Sequence, residues 1–252
     1  QMCIRDSVRT GARLGGSNGL LSHYRVFTRG RRYGGGAWDW PCRIRQLNGT
    51  SVEILWEPEP ERQFEMRSRY EFVSPTTVEL RTTVVSSVRL EGFEVFLASY
   101  FSSGFTNSMV LVKEGGESGE KPSLRRAVKS GGDWQMFVRG DAERKVVSDG
   151  RWKLPPNPVE WVVYPLLAKP VAIRHAQALG LGAVLVGDEE ECFAVATPHE
   201  TEGHYSVYLC LWGRDIEPGK QTSAQTRLVF VPGDANTVGM AALAECGGGN
   251  GR

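Results

Sequence analysis

The segment His199-Glu200-Thr201-Glu202-Gly203-His204 places two imidazoles and two carboxylates within six residues. These groups exchange protons near neutral pH, and an imidazole beside a carboxylate can be held at a pKa suited to general acid–base work. The segment joins two strand-like runs, "ECFAVATP" and "YSVYLCLW", so it belongs on the rim of a sheet. Three uses are open to it: an acid–base or binding site, a solvated loop, or a metal site. The His-x4-His spacing matches neither the helical i,i+4 pair nor a zinc-finger spacing, so no metal is expected.

A second group is Trp38-Asp39-Trp40, preceded by three glycines in "GGGAWDWPC". Aromatic rings stack on the apolar C–H faces of sugars, while a carboxylate accepts their hydroxyl hydrogens, so this combination suits a saccharide. In a strand the two indoles would share one face; in a glycine-hinged loop they could converge on one site. The same residues also fit a structural use, with the tryptophans as core fillers and Asp39 capping a turn. Tyr100 and Trp134 are further aromatic candidates for a groove, and both also suit a core. The catalytic candidates are therefore His199, Glu202 and His204. The substrate-binding candidates are Trp38, Asp39, Trp40, Tyr100 and Glu200.

The elements that must position these residues are mostly strands. "SVEILWEP" sets Val52, Ile54 and Trp56 against Glu53, Leu55 and Glu57, and "TVELRTTVV" alternates in the same way. "FEVFLASYF" is apolar on both faces, which predicts a central strand covered on each side. "PVAIRHA" and "AVLVGD", separated by a glycine-rich connection, predict a strand pair. "ECFAVATP", "HYSVYLCLW" and "TRLVFVP" complete the set. Asp149-Gly150 in "KVVSDGRWKL" predicts a hairpin with a type I′ turn. "KEGGESGEKPS" (113–123) predicts a loop or linker. "NPVEWVVYPLLA" carries helix-start signals at Asn157 and Pro158, but its β-branched residues and Pro165 favour a strand or irregular segment. The expected class is all-β.

The totals agree. The chain has 252 residues, net charge +1, 40% hydrophobic and 23% charged residues, which fits globular domains rather than a disordered or fibrous chain. Near-neutral charge without a basic stripe argues against nucleic acid as a partner. No apolar run is long enough to span a membrane as a helix. Cys42, Cys192 and Cys210 form no C-x-x-C spacing, and the last two fall in strand-like runs as buried free thiols. No G-x-S-x-G elbow, phosphate loop or dinucleotide fingerprint is present. Arg214-Asp215 reads as a strand-end ion pair.

The stretches "LLSHYRVFT", "AWDWPC", "FEVFLASYF", "DGRWKLPPNPVEW" and "YSVYLCLWGRDIEPGKQTSAQTRLVF" together resemble bacterial proteins with a galactose-mutarotase-like fold. That is a large antiparallel supersandwich shared by aldose epimerases and by domains of polysaccharide-active enzymes. The resemblance covers about residues 18–232. It implies a large antiparallel β-sandwich that recognises carbohydrate, as an aldose epimerase-like isomerase working without cofactor or metal. In that chemistry a base takes the anomeric hydroxyl proton while an acid protonates the ring oxygen, and Glu202 is the expected base with His204 or His199 as acid. The epimerases' Asn-rich context around their first histidine is absent here, so these histidines do not map onto that motif. The alternatives are a non-catalytic carbohydrate-binding or interaction module and a fragment of a polysaccharide lyase or hydrolase. A saccharide is the expected ligand and a monomer or weak dimer the expected state.

The opening "QMCIRDS" resembles the translation of a sequencing-library adapter, so residues 1–7 are expected to be a non-native leader. A single, N-terminally truncated sandwich domain is expected over 8–232, with a flexible tail over 233–252 and no expectation for localisation.

Overall fold

A computed structural model describes residues 13–116 and 119–247. The chain begins with β1 (Ser22–Thr28), β2 (Arg31–Arg32), β3 (Arg43–Gln46), β4 (Ser51–Trp56), β5 (Phe64–Ser74) and β6 (Thr77–Ser86). It continues with β7 (Leu90–Tyr100), β8 (Asn107–Gly116), β9 (Gly119–Arg126), β10 (Trp134–Val138), a short helix α1 (Asp141–Val147) and β11 (Val162–Tyr164). Then follow β12 (Leu167–Ala176), β13 (Leu181–Gly187), β14 (Cys192–Pro198), β15 (Ser206–Ile216), β16 (Gln221–Pro232) and α2 (Ala235–Gly247).

Two sheets result. One has seven strands in the order β11-β10-β14-β15-β7-β1-β2, the other nine in the order β3-β4-β5-β6-β16-β13-β12-β8-β9. Every pairing between these strands is antiparallel except β10 with β11. This is the all-β antiparallel sandwich that the alternating sequence predicts.

The period of two assigns each side chain to a layer. Along β7, Phe93, Val95 and Leu97 enter the core between the sheets, while Phe96, Ala98 and Tyr100 join a separate cluster on the outer face. Along β15, Leu209 and Leu211 face inward, and Tyr208 and Cys210 outward. The inner core is completed from the other sheet by Trp56, Phe64, Met66, Leu80, Val84 and Leu228. The seven-stranded sheet therefore carries apolar and aromatic side chains on both faces, as "FEVFLASYF" predicts, and its outer face needs a cover.

The structure departs from the sequence expectations in several places. Lys145–Leu154 is not a hairpin: Lys145, Val146 and Val147 end α1, and Arg151–Lys153 form a 3-10 turn. Asp141 and Glu143 in the first turn and Arg144 and Lys145 in the last favour that helix through its dipole. Buried Val147 fastens it to the outer cluster, which turn chemistry alone does not reveal. Residues 113–116 and 119–123 are not a free loop, because β8 and β9 pair from Met109 opposite Arg126 to Gly116 opposite Gly119. They form the sheet's edge, where Pro122 is tolerated because an edge strand leaves N–H groups unpaired. Within the expected tail, residues 235–247 form a helix. Asp234 accepts the Thr237 N–H at 2.8 Å as its cap. Val238 and Ala242, one turn apart, seal the nine-stranded sheet's outer face over Met109, Leu111 and Ile173. Residues 1–7 and 248–252 lie outside the described residues.

Arg214 and Asp215 form no ion pair with each other: the Arg214 guanidinium binds Glu191 at 2.5 Å, and the Asp215 carboxylate takes Arg89 at 2.6 Å and the Gly92 N–H at 2.8 Å. Cys192 and Cys210 are buried free thiols and Cys42 is exposed. No helix among the described residues is long and apolar enough to cross a membrane.

Candidate functional site

The outer face of the seven-stranded sheet opens into a cleft of about 690 Å3, within the size range of small-molecule sites. Its floor is Phe96 and Tyr100 of β7 and Tyr208 of β15, with Phe96 stacked on Tyr208 at 4.4 Å. One wall is three indoles. Trp161 meets Trp134 at 5.8 Å and Trp152 at 5.2 Å, both edge to face. Residues 157–162, ahead of and entering β11, bring Trp161 and the exposed Glu160 to this wall. The Nε1–H groups of Trp152 and Trp161 are buried without an acceptor.

An ion cluster anchors the 3-10 turn Arg151–Lys153 that carries Trp152. Arg151, 1% exposed, binds the fully buried Glu94 at 2.8 Å and Asp149 at 2.8 Å. Burial pushes the Glu94 carboxyl up, against the pull of Arg151. The Arg151 guanidinium also fills the space beside Gly92, whose φ is +55° and where an added Cβ would come within 3.0 Å of Nη2.

His204 stands at the rim. Its Nδ1 lies 2.7 Å from a Glu202 carboxylate oxygen, and its backbone N–H donates to the other oxygen at 2.8 Å. A carboxylate on Nδ1 fixes the ring with its proton there and leaves Nε2 as the free nitrogen. The ring packs edge to face on Trp134 at 5.2 Å and lies 6.5 Å from Tyr100. The loop around it is closed by backbone bonds from Glu202 N–H to His199 O at 3.1 Å and from Glu200 N–H to Ala127 O at 2.8 Å. Tyr205 follows at φ 47°, a left-handed conformation that an L side chain adopts only under local constraint.

Tyr24 and Arg25 of β1 occupy the far end. The ladder with β7 shifts register between His23 and Arg25, which makes Tyr24 a bulged extra residue. Bulges re-aim side chains, and here two consecutive residues line the same cleft. Arg25 is 5% exposed, and its guanidinium lies over the rings of Tyr24 at 4.9 Å and Trp152 at 5.3 Å. Nε and Nη1 have no hydrogen-bond partner, and Arg25 forms no ion pair with any described carboxylate. A cation–π contact contributes about 0.5–2 kcal/mol, whereas taking a charge out of water costs several kcal/mol.

The candidates from sequence divide accordingly. Tyr100 and His204 line the cleft, and Glu202 orients His204. Glu202 is engaged by the imidazole and does not itself line the cleft. His199 is buried, with Nδ1 on the Thr201 hydroxyl at 3.1 Å and Nε2 3.6 Å from Asp133; it does not line the cleft. Glu200 is drawn away to Arg126 at 2.5 Å. Ala37–Asp39 form a 3-10 turn that splits the tryptophans. Trp38 stacks on Tyr24 at 4.2 Å with its indole N–H on Asp39, while Trp40 packs on Phe64 and under Arg62. Gly36 is required at that stack, since a Cβ there would lie 2.9 Å from Trp38 and 3.1 Å from Tyr24. Trp134, named only as a weaker candidate, is central. Tyr24, Arg25, Trp152, Trp161 and Tyr208 were not foreseen; the available signal was the pair of tryptophans flanking the proline-rich "KLPPNPVE". Among the described residues no group of three or more His, Cys, Asp or Glu side chains could hold a metal ion.

No family model matches the sequence, and no curated protein matches it. Solved structures do match. An α-N-acetylgalactosaminidase of Bifidobacterium bifidum, in its Gal-NHAc-DNJ complex, aligns with TM-score 0.58 at 12% identity, covering 94% of this chain and 35% of that one. The chain thus spans about a third of that enzyme, and the likeness is one of fold. A GalM/aldose epimerase homologue from C. elegans aligns with TM-score 0.48 at 8% identity over 91% of this chain and 84% of that one. A galactose 1-epimerase from Lactobacillus acidophilus aligns with TM-score 0.44 at 10% identity over 89% and 80%.

Proposed function

We propose that the protein binds a saccharide in the cleft and acts on it as an aldose epimerase-like isomerase, with His204 as the proton-transferring group. The observation that carries this is the meeting of a three-tryptophan wall with the His204–Glu202 pair on one cleft. Indole faces take up the apolar side of a sugar ring, and an imidazole oriented through Nδ1 can move a proton at Nε2. Glu202 serves as the positioning residue, holding ring and tautomer. The free Glu160 carboxylate on the same cleft is the complementary group for the second proton of ring opening. One observation favours a second use, a non-catalytic carbohydrate-binding module: the expected base is already engaged by its neighbour.

NMR exchange spectroscopy on a panel of free aldoses separates the two. Faster interconversion of anomers with the wild-type protein, lost in His204→Ala and reduced in Glu202→Gln, is the expected result. Binding without faster exchange assigns the cleft to a recognition module. Failure to bind any aldose or oligosaccharide overturns the proposal.

A further inference from the structure

Arg25 carries a full positive charge into the cleft and has no anion to answer it. It lies on β1 at the bulge, 5% exposed, with Nε and Nη1 buried and without acceptors. Its neighbours are the rings of Tyr24 and Trp152 and the phenols of Tyr100 and Tyr208. A second cation sits close by. The Arg32 guanidinium lies 5.8 Å from the centre of the Tyr24 ring, spends two of its nitrogens on the carbonyl oxygens of Pro156 and Gly35, and has a buried Nε with no partner. Burial, followed by the charge of Arg25, lowers its pKa. The two guanidiniums have no carboxylate between them, and Arg32 is half-exposed, so Arg25 is the more deeply buried of the two cations.

The carboxylates on the cleft do not offset this. Asp133 and Glu160 occupy exposed rim positions, where water and salt screen them, and Glu202 is occupied by His204. The charge of the cleft is therefore divided by position: positive at the Arg25 end, negative at the exposed rim. Guanidinium is the side chain best matched to carboxylate and to sulfate oxygens, through paired N–H donors. From this we infer that the saccharide the cleft takes is an acidic one, carrying a carboxylate or a sulfate ester that reaches Arg25. This rests on the proposal that the cleft binds saccharide, and assigns the class of sugar.

The test is calorimetric titration of the intact protein with galactose and glucose, their uronic acids and their 6-sulfates. The expected result is acidic sugars bound at least tenfold more tightly than their neutral parents, with the ratio falling toward one in Arg25→Gln and partly retained in Arg25→Lys. Preference for uronates alone assigns a carboxylate, and preference for sulfates alone a sulfate ester. Neutral sugars bound as tightly as acidic ones overturn the inference and leave the saccharide proposal standing. So does an acidic preference that survives Arg25→Gln, since another cation would then hold the anion. The wild-type comparison decides the class of sugar even if the variants do not fold. No binding of any sugar in the panel, with none of larger oligosaccharides, overturns both.

Discussion

Acidification should loosen this protein through one residue. His23 is 3% exposed between the sheets and has only hydroxyl partners: Thr82 at 2.9 Å, Ser68 at 3.0 Å and Tyr70 at 3.3 Å. Burial pushes its imidazole down to about 3 from an ordinary value of 6.5. The unfolded chain therefore takes up a proton below about pH 6.5 that the folded chain refuses until about pH 3. His23 then contributes stability that is whole above pH 6.5 and is lost as pH falls toward 3. Each pH unit inside that window is about 1.4 kcal/mol, so moving from pH 7 to pH 5 removes about 2 kcal/mol. Urea unfolding followed by tryptophan fluorescence at pH 7, 6 and 5 measures this in the wild type and in His23→Gln. The variant is less stable throughout, but its curve should be flatter by that amount, because every other titrating group is common to both. Parallel pH curves would refute the assignment of a neutral, proton-refusing His23. The result also fixes the acid limit below which no pH profile of His204 can be read as chemistry.

Three further outcomes are expected. Arg151→Met leaves Glu94 buried and unpaired and should cost about 3–5 kcal/mol in chemical denaturation, with weaker saccharide binding because Trp152 loses its support. Trp161→Ala should weaken saccharide binding about tenfold by titration, the equivalent of about 1.4 kcal/mol. Of Cys42, Cys192 and Cys210, alkylation of the native protein read by mass spectrometry should mark Cys42 alone, since burial pushes the Cys192 thiol up to about 12 and raises Cys210 as well; both should react once urea is added.

Much of the sandwich was legible because its strands are long and alternate cleanly. β6 and β7 needed nothing beyond a period of two and an apolar second face. Helix α1 was hidden because its residues 145–147 are two β-branched valines after a lysine, and what holds them is the outer cluster rather than local propensity. Helix α2 was hidden by small residues that look mobile until Val238 and Ala242 are seen to cover a sheet. The candidate site was half legible. His204 and Tyr100 stand out by type and place, whereas Arg25 reads by alternation as a partner of His23 on the core side. The Trp38–Trp40 pair shows the converse, two residues alike in sequence that a single tight turn sends to different layers.

The bulge at Tyr24 has a bearing on how related chains would be aligned. Since Tyr24 is the surplus residue, Ser22 and His23 keep their partners Ala98 and Leu97 on one side of it, and Arg25, Val26 and Phe27 keep Phe96, Val95 and Glu94 on the other. A chain lacking this one residue would lose the Trp38 stack and preserve every remaining cross-strand pair, Arg25 included. A gap of one inside this strand is thus a natural step by which the lineage could trade aromatic surface in the cleft while leaving the sheet intact. Alignments that forbid gaps within strands would place half of β1 on the wrong face.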